Sequence, residues 1–138
     1  MSRSYICRLF NRCLVLRAPL FSERFFRMKM ISWKDFEKIE LRAGTITRVD
    51  DFPEAQVPAY KIWTDFGDFG IRKSSAQVTK LYCKADLIGR QIIGVINFQP
   101  KQIANFISEF LVTGFILENG EVVLAEPQRR VPNGTKLA

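Results

Sequence analysis

Side chains that can bind a ligand are concentrated in the middle of the chain, at Lys73–Gln77. Lys73 supplies a cation, and the two serines that follow it supply hydroxyl groups. Gln77 adds a side-chain amide, which both donates and accepts hydrogen bonds. Such groups can contact phosphate oxygens and peptide carbonyls equally well. We therefore expect Lys73, Ser75 and Gln77 to contribute to a binding site for nucleic acid or for polypeptide.

Three further basic residues, Arg42, Arg72 and Lys101, can converge with Lys73 into a basic patch on one face of the fold. A concentrated patch of this kind would attract phosphate groups. The alternative is that each cation is an isolated, solvated charge, and for Arg42 and Arg72 the two interpretations are equally supported. We predict Arg42 and Lys101 as binding residues alongside Lys73.

Aromatic residues recur in the stretch Ile96–Phe110, which holds Phe98, Phe106 and Phe110. An exposed ring can stack on a nucleic-acid base, which contributes about 1–3 kcal/mol per base. An exposed apolar patch also suits a chaperone, since unfolded chains offer apolar side chains. A third interpretation places most of these rings in the core or at a subunit interface. We predict Phe98 and Phe106 as the apolar part of the binding surface, with at least one of the three rings at the interface.

The composition argues against an enzyme. The chain contains no histidine, which excludes His-based catalytic triads and imidazole zinc sites. Neither the G-x-S-x-G motif nor the phosphate-binding G-x-x-x-x-G-K-[ST] motif occurs. Asp50 and Asp51 are adjacent in a predicted strand, so their side chains point apart and make a poor catalytic pair. Three cysteines without C-x-x-C spacing indicate reduced, cytoplasmic thiols. We predict no catalytic residue, metal or cofactor.

The elements that must position the binding residues are short strands joined by turns. The first strand is predicted at residues 41–52, with Gly44 as a bulge or point of curvature. Further strands are predicted at residues 60–66, 71–75, 91–98, 111–117 and 121–125. A helix is predicted from a capping box at Ser32 and Asp35 through Lys38. A second helix is predicted at residues 76–84 from its apolar spacing.

This order of elements predicts a mainly β fold. Short strands at even spacing, with a helix between the third and fourth, are typical of a five-stranded Greek-key barrel. That is the oligonucleotide/oligosaccharide-binding (OB) fold. A β-sandwich is the alternative, but so few strands close more easily into a barrel. A turn at Pro132–Gly134 is predicted to precede a short terminal strand.

Positive charge is concentrated in the N-terminal extension, residues 1–29. The chain has 21 basic and 14 acidic residues, a net charge of +7. Seven of the basic residues and one acidic residue lie in the extension, which leaves 14 and 13 in residues 30–138. The predicted domain is therefore nearly neutral at +1, and net charge alone does not support nucleic-acid binding by it.

Two interpretations of the extension remain open. Its Arg-rich, acid-poor composition is typical of an organellar transit peptide. The other interpretation is a start-site artefact or a disordered extension, with translation starting at Met28 or Met30, and we favour it. The longest uncharged run, Cys13–Leu16, is too short for a signal-peptide core or a membrane span.

Four motifs in order carry a resemblance to a known family. They are LRAGTI at Leu41–Ile46, KSSAQVTKLY at Lys73–Tyr82, NFQPKQIANFISEFLVTGF at Asn97–Phe115 and EPQRRVPNGTKL at Glu126–Leu137. Together they resemble the CsaA family of cytoplasmic, secretion-associated bacterial chaperones. These are themselves similar to the tRNA-binding domains of some methionyl- and phenylalanyl-tRNA synthetases. The resemblance covers essentially all of residues 31–138 and none of the extension.

The resemblance implies a homodimer that binds unfolded or exported polypeptides and the export ATPase SecA. For the wider superfamily it implies tRNA binding. Asn97 and Ser108 match polar positions of the family pattern, either as ligand contacts or as partners for backbone groups. The chain departs from the tRNA-binding relatives after Lys101, where a Gly is usual and none is present. We expect Asn105 to form that turn instead, because asparagine tolerates positive φ.

Two functions of different classes follow. The first is a homodimeric, export-related chaperone that binds extended polypeptide in an apolar groove with a polar edge. The second is a tRNA-binding module that recognises the nucleic-acid backbone. The near-neutral domain favours the first, because neutralising several phosphates requires a concentrated basic surface.

Overall fold

The structure, a computed structural model, describes residues 28–138. The chain divides into two units, Met1–Phe36 and Glu37–Ala138. Residues 1–27 of the predicted extension lie outside the described residues, so its interpretation stays a prediction. The first helix, α1, is Trp33–Glu37. The backbone amide of Ser32 donates to Asp35 Oδ2 at 3.1 Å, and the amide of Asp35 donates to Ser32 Oγ at 3.3 Å. This reciprocal pair is the predicted capping box.

Nine strands and two short helical segments make up the second unit. In chain order these are β1 (Leu41–Asp51), β2 (Tyr60–Asp65), a 3-10 turn (Gly67–Phe69), β3 (Ile71–Ala76), α2 (Lys84–Leu87), β4 (Gln91–Val95), β5 (Lys101–Ile103), β6 (Phe106–Ser108), β7 (Leu111–Val112), β8 (Gly114–Ile116) and β9 (Val122–Leu124).

Five strands form one antiparallel sheet in the order β3-β2-β1-β4-β7. Two small hairpins, β5–β6 and β8–β9, are separate from its ladder. The first and last strands of this order, β3 and β7, approach each other. Just before β7, the amide of Glu109 donates to the Lys73 carbonyl in β3 at 2.8 Å. Ser74 Oγ donates to the Phe110 carbonyl at 2.8 Å. The sheet is thereby a nearly closed five-stranded barrel, which confirms the predicted OB-type architecture.

The barrel interior is filled by alternate side chains of its strands. Ile46, Ile62, Phe66 and Ile92 are at most 2% exposed, as expected where every second residue of a strand faces inward. The edge of the Phe110 ring meets the Phe66 ring with centroids 5.0 Å apart. A smaller cluster of Phe52, Ala59 and Phe106 lies outside this main core.

The predicted bulge at Gly44 is wrong. Gly44 lies in regular register opposite Ile92, and the register of β1 against β2 shifts between Ile46 and Arg48 instead. A Cβ atom at Gly44 would lie 2.7 Å from Cδ1 and Cε1 of Phe66. The glycine is therefore required by close contact with the core.

The predicted helix at residues 76–84 is also wrong. Ala76 ends β3, turns follow, and the helix lies at Lys84–Leu87. Its start is set by Asp86, whose carboxylate accepts from the amide of Cys83 at 3.3 Å and from the Cys83 thiol at 2.9 Å. Helical spacing of Val78, Leu81 and Tyr82 was misleading because Leu81 is exposed while Val78 is buried.

The strand predicted at residues 111–117 is divided into β7 and β8. At the break, the amide and the hydroxyl of Thr113 both donate to the Ile93 carbonyl, at 3.2 and 2.8 Å. The chain thereby leaves the barrel ladder and enters the β8–β9 hairpin.

The Pro132–Gly134 turn is attached to the barrel by Asn133. The Oδ1 atom of Asn133 accepts hydrogen bonds from Thr45 Oγ1 at 2.7 Å and from Gln91 Nε2 at 3.1 Å. The Nδ2 atom of Asn133 donates to Asp65 Oδ2 at 3.0 Å. The predicted terminal strand is reduced to one bridge, between Arg42 and Lys136. Among residues 28–138, no helix is long and apolar enough to cross a membrane.

Candidate binding groove

Two neighbouring grooves open on the side of the barrel where β3 approaches the β5–β6 hairpin. The first, the Phe98 groove, has a volume of about 550 Å³ and is lined by Ser74, Ser75, Phe98, Gln99, Lys101, Ile103, Ser108, Phe110 and Leu111. The second, the Gln77 groove, has a volume of about 440 Å³ and is lined by Glu54, Ala55, Gln56, Val57, Ala59, Ser75, Gln77, Lys101, Gln102, Ile103 and Ala104. Because three residues line both grooves, the two share a wall.

The floor of the Phe98 groove is made by β3 and the segment that closes the barrel. Ser74 is 1% exposed, and its hydroxyl donates to the Phe110 carbonyl. Ser108 Oγ lies 3.0 Å from Ser74 Oγ and donates to the same carbonyl at 3.2 Å. Ser108 is thus a partner for backbone that also lines the groove, and its role as a ligand contact stays a prediction.

The shared wall is the hairpin of β5 and β6, which the sequence did not predict. Lys101 pairs with Ser108, and Ile103 pairs with Phe106. The two-residue turn between the strands has Ala104 at φ 50°, the only non-glycine residue with positive φ among the described residues. The turn expected at Asn105 is therefore formed by Ala104. Asn105 instead donates from Nδ2 to Glu54 Oε1 at 3.3 Å.

Phe98 and Phe106, both predicted as apolar contacts, occupy different environments. Phe98 is 55% exposed at the rim of its groove. Phe106 is 7% exposed, with its ring 5.5 Å from Phe52 and 6.0 Å from Trp63 in edge-to-face contacts. The structure therefore leaves Phe98 available to a ligand and places Phe106 beneath the surface, where it supports the hairpin.

The four basic residues considered as a patch are not equivalent. Lys101 is exposed and lies on the wall between the grooves. Lys73 Nζ lies 5.4 Å from the centre of the Phe106 ring, a cation–π contact. Arg42 is held by Glu40 at 2.6 Å and donates to the Gly134 carbonyl at 3.0 Å. Arg72 reaches only the Ile96 carbonyl, at 3.5 Å. Of the four, only Lys101 lines a groove.

Asn97 lies at the end of β4 and contacts the chain before β1. Its Oδ1 accepts from the amide of Glu40 at 3.0 Å, and its Nδ2 donates to the Lys38 carbonyl at 2.6 Å. The side-chain amide of Asn97 therefore bonds to backbone groups, which is the second of the two roles considered for this residue. Gln77 is exposed and lines its groove.

The carboxylate of the Gln77 groove is compensated. Glu54 Oε2 lies 3.3 Å from Lys61 Nζ. The pKa of Glu54 is lowered below its usual value, first by a hydrogen bond from its own backbone amide and then by Asn105 and Lys61. The carboxylate is therefore ionised at neutral pH and already paired. In the described part of the chain, no group of three metal-ligating side chains is present.

Several lining residues were not predicted from sequence. Gln99, Ile103 and Leu111 line the Phe98 groove, and Gln102 and Val57 line the other. Each is a common residue type whose chemistry alone does not indicate a binding role. Only knowledge of the β5–β6 hairpin could have placed these residues together.

Comparison with known proteins identifies the family. Residues 41–136 match the family model described as a putative tRNA binding domain. The structure resembles the chaperone CsaA of Bacillus anthracis strain Ames, with 49% identity and a TM-score of 0.77, covering 80% of this chain and 100% of that one. It also resembles the CsaA chaperone protein of Picrophilus torridus, with 53% identity and a TM-score of 0.74, covering 79% of this chain and 100% of that one.

A methionine–tRNA ligase of Pyrococcus furiosus is 32% identical over 112 residues, which is 80% of this chain. The chain spans 15% of the length of that ligase. The matched span of this chain contains the barrel and both grooves, and the CsaA structures are matched over their full length. The chain therefore belongs to the tRNA-binding-domain family and, within it, to the CsaA proteins.

Proposed function

We propose that the chain is an export-related chaperone that binds unfolded or exported polypeptide. The observation that carries the proposal is the Phe98 groove, in which a 55% exposed aromatic ring lies beside serine hydroxyls and one cation. Unfolded chains present apolar side chains and unpaired backbone groups together. An apolar wall with hydroxyl donors and acceptors is complementary to both. The CsaA neighbours, named as chaperones, support the same class.

We propose further that the chain works as a homodimer. Phe115, Ile116 and Leu117 are consecutive and are 66%, 79% and 42% exposed. Phe115 pairs with Val123, so these two exposed side chains share one apolar, uncovered face of the β8–β9 hairpin, while Val122 and Leu124 on the other face pack against the core. A second copy of the chain offers the same self-complementary surface, as a two-fold dimer requires.

The alternative function is tRNA binding. It is supported by the family description over residues 41–136 and by Lys101, an exposed cation on the groove wall. Against it, Arg42 is already paired with Glu40, and Lys101 is the one charged side chain that lines the Phe98 groove. Recognition of a nucleic-acid backbone requires several converging cations.

Aggregation of an unfolded client tests the proposal. We expect the wild-type chain to slow light scattering of chemically denatured citrate synthase. Phe98→Ala should lose most of this effect, because it removes the exposed ring from the groove. Ile88→Ala is the matched control, since Ile88 is 53% exposed and lines neither groove. Equal loss in both variants, or no protection by wild type, would overturn the proposal.

A salt titration separates the two functions. Affinity for a nucleic acid falls steeply with the logarithm of salt concentration, whereas binding of an apolar peptide does so only slightly. We expect binding of an unfolded client to persist in moderate salt. Tight tRNA binding at moderate salt, together with no protection of the client, would favour the alternative. Binding of purified SecA, the further partner that the family resemblance implies, is measured in the same titration.

A further inference from the structure

One edge of β3 is unpaired at Ser75. The other edge of the strand pairs with β2 over its whole length. Lys73 faces away from β2, because its amide donates to Glu109 Oε2 at 3.1 Å and its carbonyl accepts from the Glu109 amide. Backbone groups of a strand alternate in direction, so Ser75 faces the same way as Lys73. Among the described residues, no strand pairs with Ser75 there, and its carbonyl receives only a weak contact of 3.4 Å from Ser74 Oγ.

The β5 strand has a free edge as well. Ile103 and Phe106 flank a two-residue turn and therefore form the hydrogen-bonded pair next to it. Gln102, one residue earlier, then directs its amide and carbonyl away from β6. Gln102 lines the Gln77 groove. The hairpin is not part of the five-stranded sheet, so this edge has no neighbouring strand within the described chain.

The two grooves together form a trough beside Ser75, since Ser75, Lys101 and Ile103 line both. The trough carries little net charge. Lys101 is the one charged side chain of the Phe98 groove, and Glu54 on the other side is paired with Lys61. An uncharged peptide backbone is therefore a better electrostatic match than a chain of phosphates.

We propose that polypeptide binds in this trough as an added β-strand on the edge of β3. An amide of the bound segment donates to the Ser75 carbonyl, and a carbonyl of the segment accepts from the Ser75 amide. One apolar side chain of the segment lies against Phe98. Recognition through the backbone explains how one groove would accept many sequences, because every non-proline residue carries the same two groups. This inference rests on the proposed function and specifies how its ligand binds.

An N-methyl scan of the ligand tests the proposal. The probe is a fluorescein-labelled peptide of about nine residues, the upper range of a strand, with alternating valine and threonine around a central phenylalanine. Binding to the full chain is measured by fluorescence anisotropy. Methylating a backbone nitrogen removes its donor, so we expect affinity to fall about tenfold at the one residue that donates to the Ser75 carbonyl. Methylation at the other positions should have a much smaller effect.

A pair of protein variants tests the same contact from the other side. Ser75→Pro removes the backbone donor from the free edge, whereas the bonds to β2 are made by the alternate residues and remain. We expect Ser75→Pro to bind the peptide about tenfold more weakly than Ser75→Ala, which loses the same hydroxyl but keeps the backbone donor. Thermal unfolding checks that each variant is folded. The N-methyl scan uses wild-type protein and is decisive even if the proline variant does not fold.

The outcomes separate this inference from the proposed function. Peptide binding that depends on Phe98 but tolerates N-methylation uniformly would overturn strand addition and leave the chaperone proposal in place. Failure of the unmodified peptide and of unfolded citrate synthase to bind would overturn both. A loss of affinity confined to one position of the scan, and absent in Ser75→Pro, supports the inference.

Discussion

Glu40 connects two parts of the folded unit through one carboxylate. Its Oε2 accepts from Arg42 at 2.6 Å, and its Oε1 accepts from Lys136 Nζ at 2.9 Å. These hydrogen bonds, Lys136 first and Arg42 second, lower the pKa of Glu40 below its ordinary value of 4.5. The ionised carboxylate therefore holds the last bridged residue of the chain beside the start of β1.

A lowered pKa in the folded state makes stability depend on pH. The contribution of Glu40 is fully present above its ordinary pKa of 4.5 and is lost as the pH falls through the lower, folded-state value. We expect Glu40→Gln to lower the urea midpoint at pH 7, and the difference from wild type to shrink as the pH falls below 4.5. Glu118→Gln is a control, since Glu118 is exposed and has no described partner. A difference that persists unchanged at low pH would contradict this assignment.

At the scale of single residues, the chemical type of a binding side chain was predictable. Whether that side chain is already paired with another residue of the chain was not. Ser75, Gln77, Phe98 and Lys101 line the grooves as their residue types suggested. Arg42 was predicted from the same chemistry, yet Glu40 neutralises it from two residues away. Whether a cation is free depends on the neighbours that the fold supplies, and sequence spacing alone does not specify them.

The strand β1 shows how closely one element fits the core. Gly44 leaves no room for a side chain, because its missing Cβ would lie 2.7 Å from Phe66 and Thr64 atoms. Phe66 is completely buried, so it has little freedom to move aside. We expect Gly44→Ala to destabilise the fold by about 1–3 kcal/mol, the usual cost of overfilling a core.

Urea unfolding of Gly44→Ala measures this cost. Thr47→Ala in the same strand is the control, because Thr47 is exposed and loses only a hydrogen bond of 3.2 Å to the Trp63 carbonyl. The control should cost about 0.5 kcal/mol or less. Equal midpoints for the two variants would show that the core adjusts around Gly44 at no cost.

The existence of the main strands was predictable, but their ends and the β5–β6 hairpin were not. Alternating apolar residues identify β1 and β2, because each has one buried face. The strands β5 and β6 are three residues each, too short for a periodic pattern to be recognised. Pro100, which cannot donate to a strand ladder, directly precedes β5.

At the scale of the molecule, the apolar β8–β9 hairpin is the surface that most needs a partner. A two-stranded hairpin is marginally stable alone, and this one exposes Phe115, Ile116 and Val123. Soluble monomers rarely expose contiguous apolar surface of this kind. Pairing of two copies through it would cover both hairpins at once.

Charge placed on this hairpin should separate the copies. We expect wild-type protein to sediment as a dimer, and Phe115→Glu with Ile116→Glu to sediment as a monomer of half the mass, because two buried like charges oppose association. Ile88→Glu should remain dimeric, since Ile88 lies outside the hairpin. A monomeric wild type at micromolar concentration would rule out the proposed homodimer.

The fold class was predictable from the whole chain because many weak local patterns agreed. Strand spacing, turns and the motifs of the CsaA resemblance all indicated one barrel. The grooves were not predictable as shapes, since they arise where β3 and the hairpin approach without pairing. That arrangement is a long-range property, and no local segment encodes it.

The attachment of Asn133 also bears on the order in which the chain can fold during its synthesis. The amide of Ala43 donates to the Thr135 carbonyl at 2.9 Å, and Asn133 accepts from Thr45. The strand β1 is among the first to leave the ribosome, but these partners lie some ninety residues later in the sequence and are synthesised last. Until they emerge, part of β1 has unpaired backbone groups, and the barrel is completed only late in translation.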